Sequence, residues 1–326
     1  MASVGIVGIG SYVPPREMSN DDWAQIVETS DEWISTKTGM KKRRIADPDV
    51  STSDLAVEAC KIAIEDAGLK TSDIDLLILA TSSPDVPMSS TAGIVQDKLG
   101  CTECAAFDIN AVCAGWVHAL DVGSRYAGTP GYENVLVVGS EVYSRILNWD
   151  DRTTCVLFGD GAGAAVISEV EDGRGVLGSW LMSDGSGSSV IEIPAGGVRT
   201  PIPSEGFVDG MQYFHMDGRA VWNFAIEAFP EAVRMVLEKV GRTLEEVDLI
   251  IPHQANINII EAGMENLGLP MSKTFTNLHK YGNTAGASVP LALKEAIDEG
   301  VVGPGSLVIT AAFGGGLAWG ANAIVL

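Results

Sequence analysis

Positive charge is the first scarcity in this chain. Only 21 Lys and Arg stand against 43 Asp and Glu, a formal net charge of −22 at pH 7. Such a field repels phosphate backbones and anionic lipid, which excludes nucleic-acid and anionic-membrane binding and favours solubility. No apolar run approaches a membrane span, and the opening Met1-Ala2-Ser3-Val4 lacks the charged-then-apolar layout of an export signal. The expected address is therefore cytoplasmic. Cysteines number five, an odd set in a long chain, which argues against a disulfide framework. Cys101 and Cys104 form one Cys-x-x-Cys, but no second pair or nearby His completes a metal site. The two read as structural, and no metal is expected. Nucleotide motifs are missing too. Gly159-Asp-Gly-Ala-Gly163 has no Gly-Lys-Ser/Thr after it and reads as a tight turn. Gly5-Ile-Val-Gly-Ile-Gly10 runs into Pro14-Pro15, which cannot open the helix a dinucleotide fingerprint needs.

What is present is the composition of an α/β globule, 46% hydrophobic with 37 Gly, and a clear internal repeat. Gly68-Leu-Lys-Thr-Ser-Asp-Ile-Asp-Leu-Leu-Ile returns as Gly241-Arg-Thr-Leu-Glu-Glu-Val-Asp-Leu-Ile-Ile, 173 positions later. In each copy a helical pattern (55–67 and 226–240) runs into a short buried strand. The strand 135–139 answers 307–311 at an offset of 172, and Gly163-Ala-Ala-Val-Ile echoes Gly320-Ala-Asn-Ala-Ile. Two βαβ-rich halves of common design are expected, residues 1–170 and 171–326.

Chemistry falls on equivalent places in this repeat. The apolar strand 105–109 turns through small residues into a helix near Ala114, which puts Cys113 over the first helical turn. Free N–H groups and the positive end of the helix dipole there favour a thiolate, the nucleophilic form. The plainer alternative is a small buried hydrophobe. Asn110, three residues earlier, corresponds to Asn283 in the second copy, and Ala80 at a strand end corresponds to His253. Active groups thus gather at the carboxyl ends of strands, where open α/β sheets present their loops. His253 precedes an amphipathic helix (255–267), a place that disfavours imidazolium and suits a neutral ring. Asn283 opens the helix 287–299 from a small-residue loop, where Asn is most often a cap or turn residue. Phe313-Gly-Gly-Gly permits close backbone approach to a ligand and suits an N–H aimed at an oxyanion.

Asp108-Ile-Asn-Ala-Val-Cys113-Ala-Gly, Pro252-His253-Gln-Ala-Asn256, Tyr281-Gly-Asn283-Thr and Phe313-Gly-Gly-Gly together resemble β-ketoacyl-acyl-carrier-protein synthase III. That is the initiating condensing enzyme of the thiolase-fold family. Ser30-Asp-Glu-Trp-Ile and Phe158-Gly-Asp-Gly-Ala-Gly extend the likeness along the whole chain. The resemblance implies a thiolase-like α/β fold of two duplicated halves in five layers, α-β-α-β-α. It implies an acyltransferase working by ping-pong chemistry: Cys113 takes an acyl group from acyl-CoA, and a malonyl-acyl carrier protein thioester then condenses with it as CO2 leaves. His253 and Asn283 would stabilise the enolate, Cys113 and Gly315 would supply the oxyanion-holding N–H groups, and Phe313 would favour loss of the carboxylate. Trp33, Lys37, Arg152, Gly218 and Asn256 match CoA-contact positions, and the run Lys41–Arg44 is a further candidate for the CoA phosphates. No resident cofactor is implied, since acyl-CoA is a substrate, and a homodimer is.

Three positions depart from the family pattern. Lys37 stands where Arg is frequent, keeping charge without the bidentate fork. Asn223, Asn258, Glu265 and Asn266 replace a basic carrier-docking patch, so steering of an acidic carrier is expected to be weak. Met88 stands at the acyl-pocket gate, where a flexible thioether admits primers longer than acetyl, and it is a candidate to reach into the partner's pocket. The rival readings are transfer of the acyl group to another acceptor, condensation without decarboxylation, hydrolysis of the acyl thioester, and a non-catalytic partner subunit.

Overall fold

Leu76-Leu-Ile-Leu-Ala80 is apolar at every position, which suits a parallel strand covered on both faces. In the computed structural model, which describes residues 2–326, it is one. The first sheet holds β1 (Val4–Tyr12), β2 (Leu76–Ala80), β3 (Ala105–Ile109), β4 (Val135–Glu141) and β5 (Gly161–Glu169), in the spatial order β1-β5-β4-β2-β3. The second holds β6 (Gly175–Ser183), β7 (Leu249–Pro252), β8 (Leu307–Gly314) and β9 (Ala318–Val325), in the order β6-β9-β8-β7. A lone parallel bridge between Ile250 and Thr274 stands outside β7, where β3 stands outside β2. The two sheets therefore share one topology.

Six principal helices cover them: α1 (Thr52–Asp66), α2 (Thr91–Leu99), α3 (Gly115–Tyr126), α4 (Gly218–Val240), α5 (Ile257–Leu267) and α6 (Ser288–Asp298). Successive side chains of a strand face opposite ways, and the core divides accordingly. Leu77, Leu79 and Val138 face Leu55 and Ala59 of α1. Leu76, Ile78 and Val137 face inward to Leu120 of α3 and Leu293 of α6, which also receive Ile251 and Val308 from the second sheet. Beyond that sheet, Ile250 and Ile309 meet Phe229 of α4 and Ile260 of α5. The five α-β-α-β-α layers expected from the resemblance are present.

One expectation needs correction. β2 aligns Leu76 with Val135, and β7 aligns Leu249 with Val308, so β4 corresponds to β8 at an offset of 173 rather than 172. Strands buried on both faces are apolar throughout, so their sequence does not resist a one-residue slip. Helix α4 also starts at Gly218, well before the periodic pattern at 226, because the Asp217 carboxylate accepts the N–H groups of Arg219 and Ala220 at 3.0 Å each and caps it there. No described helix is long and apolar enough to cross a membrane.

Candidate functional site

The turn after β3 is built by Asn110. Its Oδ1 accepts the N–H of Val112 at 3.2 Å, and Val112 takes a φ of 50°, unusual for a β-branched residue. The turn Val112–Ala114 then leads straight into α3 and turns Cys113 toward a deep cleft. The second half repeats the device: Asn283 Oδ1 accepts the N–H of Ala285 at 2.8 Å, and Ala285 has a φ of 45°. With Oδ1 engaged, the Nδ2 of Asn283 is the group free to donate. The backbone of Asn283 is fixed by its N–H to the Leu157 carbonyl at 2.9 Å and by its carbonyl to the Gly159 N–H at 3.0 Å. Gly159-Asp-Gly is not the tight turn expected of it: the chain passes from the Phe158–Asn283 bridge through Gly159 and Asp160 directly into β5, and this extended stretch serves as the platform for Asn283. Asp160 holds that platform by accepting the N–H groups of Ala46 and Ser144.

His253 follows β7, its N–H donating to the Ala311 carbonyl at 2.7 Å. Its Nδ1 lies 2.6 Å from the Ser288 hydroxyl, which leaves Nε2 as the nitrogen free for the cleft. A hydroxyl both donates and accepts, so Ser288 is compatible with either neutral tautomer. Burial lowers the imidazole to about 3, so the ring is neutral at working pH. Phe313 stands edge-on to it with centroids 5.3 Å apart.

Cys113, His253, Asn283 and Phe313 line the same cleft, together with Phe158 and Phe214, which cluster with Cys113. Among the described residues no hydrogen bond joins the three polar side chains to one another, so each is held from behind and faces the cleft independently. The backbone of Gly314 abuts the nucleophile: a Cβ there would sit 2.7 Å from the Cys113 nitrogen. Gly315 is one residue further on, against Ile191.

The protonation state of Cys113 differs from the expectation. Burial, with Glu141 adding to it, raises the thiol well above its ordinary value. The apolar cluster around the sulfur outweighs the helix end, so the resting group is a thiol that needs a proton acceptor.

The expected CoA positions divide between the surface and the cleft. Gly218 and Asn256 line it, and Asn256 donates to the Lys37 carbonyl at 2.9 Å. Outside, the Arg152 guanidinium lies 5.8 Å from the Trp33 ring centre and donates to the Glu28 carbonyl at 2.8 Å. The Lys41–Arg44 run is not a phosphate cradle. Lys41 pairs with Asp31, Lys42 and Arg44 pair with Glu17, and Arg43 is wholly buried, bonded to Asn20 and Val156. Met88 is 88% exposed and does not line the cleft of its own chain. Of the carrier-docking positions, Asn266 accepts from Arg234 at 2.8 Å, so a cation that the sequence reading passed over sits in that patch. Ser288 was also missed, since a Ser opening a helix looks like a cap until the fold sets it against His253.

Comparison with known proteins agrees with this geometry. Residues 107–185 match the family described as 3-oxoacyl-[acyl-carrier-protein (ACP)] synthase III, and residues 237–326 match its C-terminal part. The chain is 49% identical to a β-ketoacyl-[acyl-carrier-protein] synthase III of Caldanaerobacter subterraneus, over 99% of this chain and 97% of that one. It is 47% identical to the protein of that name from Symbiobacterium thermophilum, over 98% and 97%. The crystal structure of 3-oxoacyl-[acyl-carrier-protein] synthase III from Aquifex aeolicus superposes with a TM-score of 0.91 at 42% identity, over 99% of this chain and 100% of that one. With the site and the duplicated scaffold both in place, this chain belongs to the 3-oxoacyl-[acyl-carrier-protein] synthase III family.

Proposed function

We propose that Cys113, His253 and Asn283 carry out a decarboxylating Claisen condensation that joins an acyl-CoA primer to malonyl-acyl carrier protein and so starts an acyl chain. The observation that carries this assignment of roles is the convergence of the three side chains, from both sheets, on one cleft with an apolar end.

The Cys113 sulfur attacks the thioester carbonyl while its proton passes to the free Nε2 of neutral His253. The tetrahedral oxygen is held by the N–H groups of Cys113 and Gly315. The C–S bond to CoA breaks, and the imidazolium returns the proton to the departing thiolate. Acyl-Cys113 and a neutral ring remain. The malonyl thioester then enters. The ring now takes its other neutral tautomer, with Nδ1 accepting from the Ser288 hydroxyl and the hydrogen on Nε2. His253 Nε2–H and Asn283 Nδ2–H donate to the malonyl carbonyl oxygen, so the C–C bond to the carboxylate breaks with CO2 leaving and the electron pair held as an enolate. A neutral ring suits this step, because an imidazolium would bind the carboxylate in place. Phe313 offers that carboxylate an apolar wall. The enolate carbon attacks the acyl carbonyl, and the sulfur of Cys113 leaves as thiolate and takes a proton from solvent, the one proton that the overall reaction consumes.

Trp33 with Arg152 offers the CoA adenine a stacking surface at the mouth, and Lys37, Gly218 and Asn256 guide the pantetheine arm. Arg234 and the neutral Asn223 and Asn258 support carrier docking weaker than a fully basic patch provides. Residues 1–170 and 171–326 form the two halves. The exposed Met88 and the open edge of β3 support a homodimer in which Met88 meets the partner's cleft. The five unpaired thiols support a reducing, cytoplasmic setting.

Incubation with acyl-CoA is expected to add the acyl mass to the peptide containing Cys113, and addition of malonyl-carrier to discharge it with release of CO2. An acyl-enzyme that discharges to free acid without malonate, or a Cys113→Ala variant that still condenses, would overturn the assignment.

A further inference from the structure

One buried carboxyl next to the site has no part in these steps. Glu141, the last residue of β4, is 0% exposed, and burial pushes its carboxyl up to about 7. Three consecutive residues at the end of β2 are turned onto it. The Ser82 and Ser83 N–H groups donate at 3.1 and 3.0 Å, and the hydroxyls of Thr81, Ser82 and Ser83 donate at 3.2, 3.0 and 2.5 Å. The Ser82 hydroxyl also meets the Tyr143 hydroxyl at 2.8 Å. The Tyr143 ring stacks on Phe158 with centroids 4.9 Å apart and leans on Phe214 at 5.7 Å. Those two phenylalanines line the cleft and cluster with Cys113. A continuous hydrogen-bonded and stacked path therefore runs from the carboxyl to the wall that an acyl chain on Cys113 would touch.

The duplicated half shows that the sheet itself does not require this carboxyl. At the register of the repeat, Glu141 corresponds to Gly314, and β8 pairs with β7 and β9 as β4 pairs with β2 and β5, without any acid at its end. Glu141 instead fills the place that mirrors the nucleophile: a Cβ at Gly286, the counterpart of Cys113, would meet its Oε1 at 3.0 Å.

We propose that Glu141 is a positioning residue for primer selection, holding the Thr81–Ser83 turn and through Ser82 setting the Tyr143 face of the acyl-binding wall. This rests on Cys113 as the residue that bears the acyl group. Glu141→Gln keeps the shape but turns an amide against groups that all donate, so the turn shifts and the tyrosine loses its fixed partner.

The test is loading of Cys113 from an acyl-CoA series running from acetyl to octanoyl, read as adduct mass against time. Glu141→Gln is expected to change the acetyl-to-hexanoyl loading ratio by about fivefold or more, within the range that one or two methylenes of pocket fit supply. Ser82→Ala and Tyr143→Phe, which leave the carboxyl in place, are expected to move the ratio in the same direction by about twofold or more. These two variants decide the matter if Glu141→Gln does not fold. A purely structural carboxyl would lower the melting temperature and slow all primers alike, and that outcome, or parental ratios in Ser82→Ala and Tyr143→Phe, overturns the proposal. Absence of any adduct in the parent enzyme would instead sink the assignment of Cys113.

Discussion

The two halves of this molecule build the same turn and use it differently. In each, an Asn side chain folds onto the N–H two residues ahead, the next-but-one residue takes a positive φ (50° at Val112, 45° at Ala285), and a helix follows. The first half puts a thiol at the next position, Cys113, and keeps the facing strand end bare with Gly314. The second half puts Gly286 there and fills the facing space with the carboxyl of Glu141. Asn110 does not line the cleft, whereas Asn283 both shapes its turn and lines the cleft with its Nδ2 unengaged. A duplicated scaffold thus presents two equivalent turns but one cleft, lined by the Cys of the first turn and the Asn of the second, while the place at Gly286 is closed by Glu141.

The comparison is broken most severely at the two asparagines. Asn283→Ala is expected to slow CO2 release from the malonyl thioester by about 10²–10³-fold, the usual effect of losing one preorganised donor, while adduct formation on Cys113 persists. Asn110→Ala, its structural counterpart, is expected to leave decarboxylation by the pre-acylated enzyme nearly unchanged and to cost about 1 kcal/mol of stability through the lost turn. Equal losses of decarboxylation in the two variants would mean that Asn283 acts only as a turn residue.

The two glycines give the next largest effect. Gly314→Ala would force a methyl to within 2.7 Å of the Cys113 nitrogen, so primer loading should fall sharply in step with that crowding. Gly286→Ala meets Glu141 Oε1 at 3.0 Å and the Val112 carbonyl at 3.3 Å, and is expected to destabilise by about 1–3 kcal/mol as overpacking does. Denaturant midpoints and loading rates measured on both variants separate the catalytic side of the repeat from its closed side.

A subtler difference is pH dependence. Ala80 occupies in the first half the place that His253 occupies in the second, and the buried imidazole titrates at about 3 against about 6.5 in an unfolded chain. Between those values the unfolded state binds one proton more, so this group's contribution to stability falls as the pH drops below about 6.5. His253→Ala should therefore lose less stability than the parent between pH 6.5 and pH 5, by about 2 kcal/mol from this group. Equal acid-side slopes would show that the ring is protonated in the folded protein. The smallest expected effect lies outside the repeat: Trp33→Ala should raise the KM for acyl-CoA about tenfold with little change in kcat, the behaviour of a contact made equally in ground and transition states.

Much of this was legible from residues alone. The copies around Gly68 and Gly241 announced the duplication, and both glycines do take the same left-handed conformation, φ 68°. The strand 105–109 has the boundaries expected of it, and Cys113, His253 and Asn283, singled out by their places in the repeat and the motifs around them, line one cleft. Other features were not legible, each for a physical reason. The offset of β8 was misjudged by one because a strand apolar on both faces carries no alternation to fix its register. The basic run 41–44 looked free because ion pairing with Glu17 and burial of Arg43 depend on partners distant in the chain. Glu141 drew no notice because a single acidic residue after an apolar strand has no local signature of burial.

What the linear order of residues determined, then, is the inventory and its placement: which helix and strand types form, that they form twice, and which side chains stand at strand ends where loops gather. Tertiary structure alone decided the electrical state of those side chains. Whether residue 113 rests as thiol or thiolate, whether the ring of 253 is charged, and which oxygen or nitrogen of each faces the cleft depend on how much water the neighbours exclude and on hydrogen bonds such as that from Ser288. Desolvation is a property of the surrounding volume, and that volume exists only once segments far apart in the chain have closed around it.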